Sequence, residues 1–276
     1  MIGAALLALF LGLAAAPAHA AEPASATGAE ADGAARVEEK VRDLVVDGLP
    51  QRLLLVLPPT PRAILVMLPG GTGDLGLKAD GTFRHGMNVL VRTRARFAAL
   101  GFASVIPDAV DGRNLRGMRA TPLYGRIVAA LADVALTAVG RPVFLVGTSQ
   151  GAIAAMNGAA HLPPGVISGL VLTESVSRRG GSRETVFDAD PAAVRVPVLI
   201  LANSDDACPI APPADAQRIA DALTAAKSVE VARLSGGIRA GRDCGSRSPH
   251  GYWGIEDEAV SSIAGWIDRQ LAAARP

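Results

Sequence analysis

Val143-Phe144-Leu145-Val146-Gly147-Thr148-Ser149-Gln150-Gly151 decides how this chain folds. Val143–Val146 is a short, wholly apolar run, the pattern of a strand buried on both faces. It runs into Gly147, and Gln150–Leu162 then reads as a helix that ends at Pro163-Pro164. A serine between such a strand and such a helix sits on a sharp, strained turn with its hydroxyl exposed above the sheet. Glycines two positions to either side let neighbouring segments pass close to that turn. The helix start aims free backbone N–H groups at the space beside the hydroxyl, which makes the N–H of Gln150 a candidate oxyanion donor. Among 30 glycines a bare GxSxG can arise by chance, and only the flanking strand and helix give this one meaning. Ser149 is the expected nucleophile.

Outward from that turn, strand-like and helix-like segments alternate. Val37–Asp47 and Arg52–Leu57 read as two strands of a hairpin around Gly48-Leu49-Pro50. Ala63–Leu68, Phe102–Ile106, Ile167–Leu172 and Val196–Leu201 are further apolar runs, and Val229–Leu234 is the last strand. Asn88–Leu100, Leu123–Val139, Ala214–Ala226 and Glu256–Ala274 have helical periodicity. Eight strands alternating with helices imply an α/β fold, a mostly parallel sheet covered on both faces, with an antiparallel hairpin at one edge. Only about two dozen residues separate the strands ending near Leu172 and starting near Val196, which leaves little room for a cap.

The order of these elements and the Gly147–Gly151 turn resemble the α/β-hydrolase superfamily, above all its compact lidless members, the dienelactone-hydrolase-like proteins and small esterases. The resemblance covers nearly all of residues 37–276. It implies the α/β-hydrolase fold, with a sheet of about eight strands and no large cap domain. It says little about substrate, because this fold hosts many chemistries.

In the resembled fold the loop after the third strand gives the second oxyanion N–H, often from a His-Gly-Gly-type sequence. Here that loop is Leu68-Pro69-Gly70-Gly71-Thr72-Gly73, with Pro69 in place of the histidine and Gly71 or Thr72 as donor. Gly71 to Gly76 also spells G-x-G-x-x-G after a strand. A dinucleotide site is rejected: Lys78-Ala79-Asp80-Gly81 is turn-like where a helix should open, and Arg92, Arg94 and Arg96 stand where a ribose-binding acid is needed. An exported protein would also meet little NAD.

A serine hydroxyl needs an imidazole to take its proton and a carboxylate to orient that imidazole. The chain order in this fold is Ser, acid, His. His250, in Ser248-Pro249-His250-Gly251-Tyr252 between the last strand and the closing helix, is the expected base. His85 and His161 precede the acid, and His161 reads as a helix end. The acid of the resembled fold stands just past the strand ending at Leu201, often as G-x-x-D with a proline soon after. Ala202-Asn203-Ser204-Asp205-Asp206-Ala207-Cys208-Pro209 makes Asp206 the match, with Asp205 the runner-up and Glu174 a third candidate after the preceding strand. Cys208 and Cys244 flank the acid and base loops, so a bridge between them would tie the two together.

Residues Ile2–Ala16 are apolar, and Ala18-His19-Ala20 is a small-residue cleavage signal, although no Lys or Arg precedes the run. Residues 1–20 are read as a signal peptide and 21–36 as a disordered leader, which places the protein in a periplasm or outside the cell; an uncleaved anchor is the competing reading. The 276 residues carry a net charge of +1, which gives no argument for nucleic acid or an acidic membrane as partner. Paired histidines and Cys-x-x-Cys are absent, so neither metal nor cofactor is expected. Tyr252 and Trp253 read equally as an acyl pocket or as core. Arg113, Arg116 and Arg119 read as a solvated loop, with contact to an anionic substrate as the alternative. The sequence thus points to hydrolysis of a small or polymeric ester through an acyl-enzyme. A peptidase or amidase with the same triad, and a non-catalytic binding protein on a decayed hydrolase fold, are the rival readings.

Overall fold

The computed structural model describes residues 36–274, so the expected signal peptide and all but the last residue of the leader lie outside the described residues. Eight strands form one sheet: β1 (Glu38–Val46), β2 (Leu49–Leu57), β3 (Ala63–Leu68), β4 (Phe102–Pro107), β5 (Val143–Thr148), β6 (Gly169–Thr173), β7 (Val198–Asn203) and β8 (Val229–Leu234). Their order is β1-β2-β4-β3-β5-β6-β7-β8, antiparallel in the two pairs made by β2 and parallel from β4 to β8. Every residue of β3 to β7 is buried, as their unbroken apolar runs demand.

Five helices cover the sheet: α1 (Val89–Ala99), α2 (Pro122–Val139), α3 (Gln150–His161), α4 (Ala216–Ala222) and α5 (Glu256–Ala273). Buried side chains of α2, α3 and α4 share one core with the sheet, while α1 and α5 share the other. Capping chemistry sets several boundaries. Asn88 accepts the N–H of Leu90 at the start of α1, and Thr121 accepts that of Tyr124 ahead of Pro122 in α2. Gly140 closes α2 in the left-handed region.

Two boundaries differ from the sequence reading by more than two residues. The hairpin turns at Asp47-Gly48, both at positive φ, and β2 begins at Leu49. An Asp-Gly pair favours this two-residue turn because its twist matches that of the strands. Helix α4 is shorter than Ala214–Ala226: residues Pro213–Asp215 form a 3₁₀ turn before it, and Leu223 caps it.

The strand order positions the site. The chain steps outward from β3 to β4 through α1, then returns to place β5 on the other side of β3. Loops leaving the carboxyl ends of β3 and β5 therefore diverge, and a crevice opens between them. Between β6 and β7 the chain makes only short 3₁₀ turns at Val186–Ala189 and Pro191–Ala193, so the α/β-hydrolase-type sheet carries no large cap.

Candidate active site

Ser149 is the one residue between β5 and α3. Its backbone sits at φ 54°, ψ −121°, a conformation that costs a non-glycine residue strain. The neighbouring glycines explain how it is held. A Cβ on Gly147 would strike the start of α3, and one on Gly151 would strike the carbonyl of Leu68. A Cβ on Gly70 would lie 2.9 Å from that of Ser149. Three glycines thus let the β3 loop, the turn and the helix close on one another, as the glycine spacing leads one to expect.

His250 lies in a 3₁₀ turn, Pro249–Gly251, and is buried. Its Nε2 is 2.9 Å from Ser149 Oγ, and its Nδ1 is 2.7 Å from Asp206 Oδ2. Serine, histidine and aspartate from the loops after β5, β8 and β7 thus form one continuous chain of hydrogen bonds. Asp206 is buried, and its second oxygen accepts the backbone N–H of Cys208 at 2.8 Å. Cys208 and Cys244 are joined by a disulfide, so the acid and base loops are covalently linked.

The two other acid candidates are placed differently. Asp205 is exposed, and its Oδ2 accepts the N–H of Gly236 at 2.6 Å, which pins the β8 loop to the end of β7. Glu174 stands after β6 at φ 43° and is buried. Its Oε1 accepts the N–H of Asn203 at 2.7 Å, while Oε2 has no partner among the described residues. Burial, and then the neighbouring Asp206 carboxylate, push the Glu174 pKa well up. Glu174, Asp206 and His250 bring three ligand-type atoms within 4.8 Å of one another. A cation there would have to displace the His250–Asp206 hydrogen bond.

The oxyanion candidates face the same crevice. The carbonyls of Pro69, Gly70, Gly71 and Thr72 are all engaged, by Arg119 Nη2, Gly73 N, Arg119 Nη1 and Leu115 N respectively. The amide hydrogens of Gly71 and Thr72 have no acceptor among the described residues. Gln150, at the first position of α3, has its N–H at an open helix start.

A cleft of about 500 Å³ contains Ser149 and His250 and is bounded by Gly70–Thr72, Leu75, Met87 and Val89. Arg116 and Arg242 also line it, and neither has a carboxylate at ion-pair distance among the described residues; Arg84, also on the rim, is paired with Asp74. Arg113, Arg116 and Arg119 therefore do not act alike: Arg113 pairs with Asp111, Arg116 faces the cleft, and Arg119 is buried rather than solvated. Tyr252 is core, with its hydroxyl donating to the carbonyl of Leu201 at 3.0 Å, and Trp253 stacks under Arg92. His85 lies at the cleft edge, and His161 closes α3 through its contact with the carbonyl of Asn157.

Sequence reasoning missed two supports. Asn203 ends β7, fully buried, and its Nδ2 donates to the carbonyls of Pro249 and Gly236, fixing the base loop. Arg92 donates to the carbonyl of Gly251 and to Glu256, which holds that loop from α1. Asn203 could have been flagged as a polar residue closing an apolar strand; Arg92 carries no local signal, because its partners are distant in sequence.

No protein-family model and no curated protein matches the chain. Among solved structures, it is similar to a dienelactone hydrolase from Anabaena variabilis, with a TM-score of 0.61 at 14% identity, covering 84% of this chain and 98% of that one. It is also similar to a cold-adapted esterase from an Arctic intertidal metagenomic library (TM-score 0.58, 16% identity, 86% and 97% covered). An acylaminoacyl peptidase of Pyrococcus horikoshii matches with a TM-score of 0.57 at 11% identity, over 85% of this chain and 42% of that longer one. At these identities the likeness is one of architecture: the chain has the α/β-hydrolase fold.

Proposed function

We propose that this protein is an exported serine hydrolase that cleaves carboxylic esters through an acyl-enzyme. The observation that carries the reading is the run of hydrogen bonds from Ser149 Oγ through His250 to Asp206. In the acylation step, Ser149 Oγ attacks the ester carbonyl while its proton passes to His250 Nε2. Asp206 holds the Nδ1 hydrogen and stabilises the imidazolium. The new oxyanion receives N–H groups of Gln150 and of Gly71 or Thr72. The tetrahedral adduct then expels the alcohol, which takes the proton from His250. A water enters, gives its proton to His250 and attacks the acyl-enzyme; return of that proton to Ser149 releases the acid.

Residues 37–276 are the catalytic domain in this reading, and residues 1–20 direct export. The Cys208–Cys244 disulfide supports an oxidising compartment. Arg116 and Arg242 on the cleft lining favour esters that carry an anionic group. The test is a panel of p-nitrophenyl esters, neutral and succinylated, against the matching p-nitroanilides. The reading expects turnover of esters that vanishes in Ser149→Ala, with a lower KM for the succinyl ester. Faster anilide than ester turnover would move the assignment to an amidase, and wild-type protein inactive on both would leave a binding role.

A further inference from the structure

The loop proposed to supply the second oxyanion donor is held from beneath by an arginine that has no carboxylate at ion-pair distance among the described residues. Arg119 is 1% exposed. Its Nη1 donates to the carbonyl of Gly71 and its Nη2 to that of Pro69, each at 3.1 Å. The carboxylate of Glu184 spends its oxygens on backbone: Oε1 accepts the N–H groups of Gly117 and Arg119, and Oε2 that of Ala120. Asn157 of α3 donates to the Arg119 carbonyl at 2.8 Å. The arginine is therefore fixed at its backbone by Glu184 and Asn157, and it spends its charge on two carbonyls of one turn. Burying a guanidinium without a carboxylate costs free energy, and such a cost persists where the group does something a neutral residue could not.

The consequence is geometric. A peptide unit has its C=O and N–H on opposite sides, so fixing a carbonyl inward turns the following N–H outward. The Gly71 carbonyl is fixed by Arg119, and the N–H of Thr72 belongs to the same peptide plane. The Gly70 carbonyl is fixed by Gly73, and it shares its plane with the N–H of Gly71. We propose that Arg119 is a positioning residue for the oxyanion hole, holding the Pro69–Thr72 backbone so that these amide hydrogens meet the developing oxyanion. This rests on the serine-hydrolase reading above. Its chemical content is that Arg119 touches no substrate and acts in the transition state, not in ground-state binding.

The experiment compares wild type, Arg119→Met, Arg119→Lys and Arg119→Ala on p-nitrophenyl acetate, with folding checked by circular dichroism. It also measures inhibition by a trifluoromethyl ketone, whose serine adduct places an oxyanion in the hole. Turnover by wild type that depends on Ser149 is established first; its failure removes the hydrolase reading and this inference with it. Given that turnover, Arg119→Met is expected to lower kcat about 10- to 100-fold with KM little changed. Affinity for the ketone should fall by the same factor as kcat/KM, and added guanidinium should restore part of the rate to Arg119→Ala. Arg119→Lys, unable to reach both carbonyls, should fall between and decides the matter if the other variants do not fold. Wild-type kcat and ketone affinity in a folded variant, or a loss confined to KM, would overturn the proposal while leaving the hydrolase reading intact.

Discussion

Asp206 and Glu174 are two buried carboxyl groups at the ends of adjacent strands, both close to His250, and they differ in the partners their oxygens find. Asp206 has a partner on each oxygen, the imidazole on one and the Cys208 N–H on the other. Glu174 has the Asn203 N–H on one oxygen and, among the described residues, no partner on the second. Burial, with the Asp206 carboxylate alongside, pushes the Glu174 pKa well up. Both carboxyls lie near the histidine, but among the described residues only Asp206 is hydrogen-bonded to its Nδ1.

The largest effect that could break this comparison is on turnover. Asp206→Asn keeps the shape but removes the charge that supports the imidazolium, and kcat should fall by on the order of 10⁴. Steady-state kinetics on a p-nitrophenyl ester check this, and an equal loss in Glu174→Gln would reverse the two assignments. The disulfide distinguishes the two loops next. The Asp206 loop is covalently tied to the His250 loop by cysteines 36 positions apart in sequence. Cys208→Ala/Cys244→Ala should lose about 3–4 kcal/mol of stability, read by denaturant unfolding.

Glu174→Gln sharpens the contrast through pH. The Glu174 pKa is raised in the folded protein, so folded chains keep a proton that unfolded chains have already lost. Wild-type stability should therefore fall as pH rises from the carboxylate range of the unfolded chain through the raised folded pKa. The glutamine has no proton to lose, so its Tm should exceed that of wild type most at pH 8 and least at pH 5. Asp205→Asn gives the smallest change, because that exposed side chain holds only the Gly236 N–H; activity should stay close to wild type.

Much of this was legible in the sequence because it rests on local chemistry. The apolar runs of β3 to β7 announce strands buried on both faces, and the glycines around Ser149 announce close approach of three backbones. The preference for Asp206 over Asp205 came from the family resemblance and not from local chemistry, since adjacent residues share their spacing and only the fold of the β7 loop separates an outward carboxylate from an inward one. The fate of Arg119 was hidden for a related reason. Three arginines in one loop read as a solvated patch, and nothing local shows that the third turns under the β3 loop while the first finds Asp111. The Asp47-Gly48 turn was readable from its residue types and was displaced by the more conspicuous Gly48-Leu49-Pro50.

The central claim is that Ser149 is made nucleophilic by His250. A fluorophosphonate reagent followed by peptide mass spectrometry tests it most directly. The account predicts a single adduct on Ser149, formed rapidly in wild type and far more slowly in His250→Ala. No adduct, or one on another serine at an undiminished rate in Ser149→Ala, would contradict it.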